Sequence, residues 1–581
     1  MPEERRELLV SRGWVQAVAL VMLFGFFVLG LLAYRTYQEQ PPVPVRVVDP
    51  AGREVFTGAD VEAGQKLFLR YGLMQYGSIF GHGAYLGPDF TADYLHRAAL
   101  DVRDRYGGER SDVARTRTVE DFRTNRYPEE TKTLELTAAQ AAAFARVRDH
   151  YAEFFGRDSN ANGLRREAIS APEHIHRLTA YFAWSAWAAS TERPGHNYTY
   201  TNNWPPEPLV ENEPTANVIV WSVLSLVALL GGIGILFGAF GRWRVLGWHG
   251  REQATLSFRN PGDVALTPAQ RATAWFFFVM AALFLVQTMV GAASQHYRAD
   301  VADFFGINLA AWFPFNLMRT WHVQLAIFFV ATSYVAAGIF LAPMIARREP
   351  KGQHLLAFGL LGALALVVGG SMLGELAGIH GWTSGAAEWF GNQGWEYLDL
   401  GRFWQVLLSL GIFAWVFMLW RVLRTRLRRE HKGNMPWLFF FAALAIPIFY
   451  AVGLLARDDS TFTTADFWRF WVVHLWVEDF LELFTTVMVA YIFVLLGVVA
   501  ERIALLVIYL DIVLYSIGGV IGTMHHLYFS GEPAEHMALG AFFSAAEVIP
   551  LTFLTVEAWS FLQLGARQES RSASPFRTAG Q

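Results

Sequence analysis

Long apolar runs alternate with polar intervals along this chain. Those near 14–35, 216–240, 272–295, 315–345, 354–379, 402–424, 435–456, 466–499, 502–528 and 537–564 each approach the roughly 20 helical residues that cross bilayer hydrocarbon. They predict an all-α, polytopic membrane protein of about ten transmembrane helices. The first run follows Arg5, Arg6 and Arg12, as a signal peptide would. It runs on without a small-residue cleavage site, so 1–35 is read as a retained membrane anchor. The polar interval 36–215 mixes charges, prolines and aromatics, as in Asn203-Trp204-Pro205-Pro206, and is long enough to bury a core of its own. Spans resume over 216–566, and 567–581 is a polar tail.

Charge orients these spans. Arg5/Arg6/Arg12, Arg242/Arg244/Arg251, Arg347/Arg348/Lys351, Arg421 through Lys432, Arg502 and Arg567/Arg571 fall in alternate loops. Positive-inside counting therefore puts the N-terminus and the tail in the cytoplasm and 36–215 outside. The 581 residues are 53% hydrophobic with a formal charge of -4, which offers nothing to nucleic acid. With Cys 0, disulfides, iron–sulfur clusters, thiolate zinc and thioether-bound haem are excluded.

Ionisable groups inside a bilayer are costly, and each is a functional candidate by default. In the run at 466–499, His474, Glu478 and Glu482 recur every four residues, a spacing that stacks them on one α-helical face. The next run ends in Gly522-Thr523-Met524-His525-His526. His474, His525, His526 and Glu478 fall at one depth, in the outer half of the membrane. Three imidazoles and a carboxylate with open positions suit redox iron better than structural zinc. Glu547 and His322 lie at similar depth on their own runs. Glu173-His174-Ile175-His176 is read as a surface or capping segment, and the triplet Asn197-Tyr198-Thr199 carries no weight.

One His on one helix and a His-His pair on a later one resembles the haem–copper oxidase superfamily. Oxidases commonly place Tyr four residues after the first His, where this chain has Glu478. His-x-x-x-Glu followed by Gly-Thr-x-His-His is similar to the nitric oxide reductases. Gly81-His82-Gly83-Ala84-Tyr85-Leu86-Gly87-Pro88-Asp89 and Gly394-Trp395-Glu396-Tyr397-Leu398-Asp399 extend that likeness. It implies a non-haem iron held by His474, His525, His526 and Glu478, with Glu482 and Glu547 as further functional carboxylates. It also implies His322 as an axial ligand of haem b, and calcium at Glu396, Gly83 and Tyr85. Glu396 and Asp399 would begin a proton route.

The cytochrome-linked branch of that family uses a companion subunit with Cys-x-x-Cys-His. With the extra domain fused and no Cys, the chain resembles the quinol-dependent, single-chain branch, whose outer domain is cytochrome c-like without haem c. That implies membrane quinol and nitric oxide as partners, no cytochrome c, the bacterial cytoplasmic membrane as location, and His296, Asp300 and Phe304 as quinol contacts. A homodimer is left open. The expected activity is quinol-driven reduction of nitric oxide to nitrous oxide at a haem b3/non-haem iron centre. The alternatives are a quinol oxidase reducing dioxygen and a proton-coupled transporter without haem. No His follows His536, whereas the family takes the second haem b ligand and the proximal haem b3 ligand from a later His-x-His. The 216–566 region is therefore expected to be incomplete, with doubtful activity alone.

Overall fold

The computed structural model describes residues 12–157, 159–243, 265–301, 304–383, 386–427, 434–457, 460–495, 499, 501–527 and 534–546. Helix α1 (Arg12–Glu39) leads into an extramembrane domain. There β1 (Arg46–Val48) pairs antiparallel with β2 (Glu54–Thr57), and parallel with β3 (Thr133–Glu135), in the order β2-β1-β3. Around this sheet lie α2 (Gly58–Arg70), α3 (Phe90–Arg105), α4 (Asp112–Arg123), α5 (Ala138–Gly156) and α6 (Pro172–Ser190). Reciprocal caps start α2 at Thr57/Asp60 and α5 at Thr137/Gln140, each worth about 1 kcal/mol. The core is aromatic, with Phe90 and Phe182 stacked at 4.6 Å and Trp184 and Tyr181 buried beside them.

Eight helices among the described residues are long and apolar enough to cross a membrane. Six follow α1 in sequence: α7 (Ala216–Trp243), α8 (Pro268–Ala299), α9 (Phe315–Ala346), α10 (Gln353–Ile379), α11 (Arg402–Leu423) and α12 (Met435–Val452). In lipid each backbone amide must bond within its own segment, which is why these runs are helical.

The run expected at 466–499 is not one α-helix. It is α13 (Phe462–Phe470), an eleven-residue π-helix Trp471–Leu481, and α14 (Glu482–Leu495). The expectation of a single α-helix there is corrected accordingly. Bonds from i to i+5 widen the turn of the segment that carries His474. The eighth span contains α15 (Glu501–Gly522), which tightens into a 3-10 turn, Thr523–His526. The tenth run is represented by α16 (Ala534–Ala546), which packs against that turn.

The extramembrane domain is fastened to the spans by buried polar contacts. Asn316 Nδ2 donates to Tyr71 O at 2.7 Å, and Gln65 Nε2 to Ser460 O at 2.8 Å. At Gly394, φ is +75° and a Cβ would collide with Leu69 O. Only glycine lets the loop before α11 approach α2 so closely.

Candidate metal centre

The π-helix carries His474 and the 3-10 turn after α15 carries His525 and His526. Their candidate ligand nitrogens all lie within 4.8 Å of one another. Ring centroids are 5.2 Å apart for His474–His525, 5.1 Å for His474–His526 and 4.1 Å for His525–His526. His474 is fully buried. His526 Nε2 is buried with no hydrogen-bond partner among the described residues. Phe470 stacks on the His526 ring at 4.5 Å and 12°, fixing its plane. Closely convergent imidazoles with a buried, unbonded nitrogen fit a metal ion with nitrogen ligands. The side chain of Glu478 lies outside the described residues, as does the whole of Glu547.

Charged groups form a buried chain from this centre to the extramembrane domain. The Arg469 guanidinium lies over the Phe470 ring, 4.4 Å from its centroid. It pairs with Asp466 at 2.6 Å and with Glu396 at 3.4 Å. Glu396 pairs again with Arg319 at 2.6 Å, and Arg319 stacks on Tyr85 at 3.6 Å. Arg319 also donates to Gln75 Oε1, while Gln75 Nε2 donates to both Asp399 oxygens at 3.1 and 3.2 Å. Asp399 is buried, and its carboxyl is pushed up to about 7. Burial is the main cause and the Glu396 charge adds to it, against the pull of Gln75 and Arg319. His82 Nε2 is 3.6 Å from Asp466 Oδ2, an ion-pair distance rather than a hydrogen bond. Burial works against a charged His82 ring, but Asp466 outweighs it and raises the His82 pKa.

Calcium does not fit the arrangement present. Tyr85 Oη is 3.4 Å from Glu396 Oε1, but both Glu396 oxygens face guanidiniums and Gly83 O accepts from the Ser78 hydroxyl. A cation needing six to eight oxygens would have to displace two fixed positive charges.

The ring of His322 rests against Gly291, where a Cβ would collide with it. Its Nδ1 donates to Gln287 O at 3.0 Å, the kind of carbonyl contact that sets a ligating histidine's tautomer. The Gln287 amide approaches both ring nitrogens, at 3.2 and 3.3 Å. His296 and Phe304 meet edge to face at 4.6 Å, and Asp300 caps α8 through its backbone. His174 meets Tyr71 Oη at 2.9 Å, while His176 lies near Asp60 at 3.9 Å. These two histidines thus turn to separate partners.

Sequence reasoning missed Arg319, Arg469, Asp466 and Glu375. Glu375, fully buried in α10, accepts from Gln324. Tyr515 Oη also donates to Glu482 Oε2 at 2.5 Å, a partner for Glu482 that no local pattern announces. The signal for the first four was present: charges at the edge of, or inside, apolar runs.

Fold and site together define a polytopic helical membrane protein with a cluster of three histidines, able to hold a metal ion, near one end of its spans. Residues 271–576 match the family Cytochrome C and Quinol oxidase polypeptide I. Residues 44–206 match the cytochrome c-like domain of NorB, the B subunit of nitric oxide reductase. The B subunit of nitric oxide reductase from Stutzerimonas stutzeri is 25% identical over 316 residues, 53% of this chain. The chain spans 64% of that relative's length. It belongs to the NorB-type haem–copper oxidase family, which implies haem and metal cofactors.

Proposed function

We propose that this chain reduces nitric oxide to nitrous oxide with electrons from membrane quinol. Two nitric oxide molecules and one quinol give one nitrous oxide, one water and one quinone. The observation that carries the reading is the convergence of His474, His525 and His526 in a chain with a NorB-type extramembrane domain. A carboxylate at 478, four residues after His474, supports it over dioxygen reduction, because no phenol there can donate an electron and a proton.

His474, His525, His526 and Glu478 would hold a non-haem iron, and His322 would help hold haem b. When bound, the iron and haem b3 supply Lewis-acid and redox chemistry at the substrate nitrogens and oxygens. The chain's own residues do the rest. Phe470, stacked on His526, and the buried apolar side chains Leu475 and Trp476 that follow His474 on the π-helix keep water away from the reacting gas. Gln287 O holds the His322 tautomer. The Tyr515 hydroxyl donates to the Glu482 carboxylate, which would handle protons next to the centre. Asp399, titrating near neutrality, holds a proton at the edge of the spans, beside Glu396. Glu547 is a further proton-handling group on the last run. His296, Asp300 and Phe304 take the quinol, imidazole and carboxylate accepting its protons while the aromatic packs on its ring. The extramembrane domain faces outward, away from the basic loops of the bacterial cytoplasmic membrane.

The test is purification from membranes, haem and iron counting, and quinol-driven consumption of nitric oxide beside that of dioxygen. Nitric oxide turnover exceeding oxygen turnover, with haem b and iron present, is expected. Preferential oxygen consumption, or an obligatory soluble cytochrome donor, would overturn the reading.

A further inference from the structure

One buried acid in the spans has no part in the centre or in its charged network. Asp511, at the middle of α15, is 1% exposed, and both of its carboxylate oxygens are buried without a hydrogen bond among the described residues. A carboxylic acid in this position is expensive and is retained for a use. Tyr515 lies one turn further along α15 and donates to Glu482 on α14. Residues four apart on a helix are surface neighbours, so Asp511 and Tyr515 share one face of α15. Thr486, one turn after Glu482, continues the facing side of the α14–α15 pair and turns toward the Asp511 carboxyl.

Position along the spans gives the ladder a direction. The histidine end of α15 adjoins Phe470 and, through Arg469 and Glu396, the extramembrane domain. Asp511 lies fourteen residues before His525, about 21 Å at the α-helical rise. It is ten residues from Glu501 at the opposite end, or about 15 Å. The acid therefore stands between the centre and the membrane surface away from the extramembrane domain.

We propose that Asp511 is a proton relay that supplies Glu482 through Tyr515 from the Glu501 end of the spans. The inference rests on the nitric oxide reductase reading only for its need of two protons per turnover. In the transfer, the Tyr515 O–H proton passes to the Glu482 carboxylate and the Asp511 proton passes to the phenol oxygen. Asp511 then takes a proton from the Glu501 side, and no electron moves. A single water can complete the Asp511–Tyr515 contact.

The experiment uses the purified, cofactor-loaded protein reconstituted in vesicles, with quinol as donor. Asp511→Asn should lower nitric oxide turnover at least tenfold with haem and iron content unchanged. Asp511→Glu should restore much of it, which a purely structural role would not require. Redox difference infrared spectra should show a carboxyl band in wild type that Asp511→Asn removes. An active wild type with Asp511→Asn at half its turnover or more would overturn the relay. If wild type consumes oxygen instead of nitric oxide, the substrate reading fails and the same comparison is made on oxygen. If it consumes neither, the infrared band decides: its presence only with Asp511 supports the relay, and its absence from wild type refutes it.

Discussion

Replacing Asp399 with Asn should make the protein more stable at alkaline pH than the parent. The Asp399 carboxyl is raised from an ordinary 3.8 to about 7, so the fold favours its protonated form. Stability owed to that preference is complete below about pH 4. It is lost as pH climbs through 7, and is flat above. The difference between the two values corresponds to about 4 kcal/mol as an upper figure. The substituted amide has no proton to lose, so that slope should vanish. Asp399→Asn does disturb the pair of bonds from Gln75, at a cost of about 1 kcal/mol, leaving a gain of about 2–3 kcal/mol at pH 8. The assay is thermal unfolding in detergent from pH 5 to pH 9 at one scan rate, followed by tryptophan fluorescence. Scan rate must be fixed because unfolding of such proteins is commonly irreversible. Equal pH slopes in parent and variant, or a less stable variant at pH 8, would refute the reasoning.

Three further outcomes are expected. His526→Ala should lower bound iron to well under half of the parent value in metal analysis, because it removes one of three convergent nitrogens; unchanged iron would exclude His526 as a ligand. His82→Gln should destabilise the protein more at pH 6 than at pH 9, since the charged His82–Asp466 pair contributes below the unfolded histidine pKa and fades as pH rises through the raised folded value; a loss independent of pH would disprove the pairing. Gly394→Ala should cost about 2 kcal/mol or more through the clash with Leu69 O and the left-handed backbone, and a melting temperature equal to the parent's would contradict that contact.

Much of the architecture was legible because span length and loop charge are local signals. The runs at 272–295 and 315–345 appear inside α8 and α9. His474, His525 and His526 could be grouped from depth alone, since oppositely directed helices of known rise bring those positions level. The network from Gln75 through Arg319 to Glu396 was not legible. Its members lie 244 and 77 residues apart in sequence, and no periodicity links an extramembrane glutamine to an arginine in a span. The π-helix was also hidden, because nothing in Trp471–Leu481 distinguishes a wide turn from a normal one by composition. Asp511 was overlooked because a single acid barely lowers the apolarity of a long run.

The wide turn at Trp471–Leu481 makes chain length a functional variable. Phe470 and His474 take their phase from α13, before or early in the segment, while Glu482 takes its phase from α14 beyond it. Deleting one residue between Val477 and Leu481 would rotate α14 by about 100° and turn Glu482 away from Tyr515 without moving the histidine. Single insertions would rotate it the other way. The histidine centre would remain assembled but be separated from its proton partner. Natural variation through this segment should therefore run through exchange of side chains at constant length, with insertions and deletions confined to the loops.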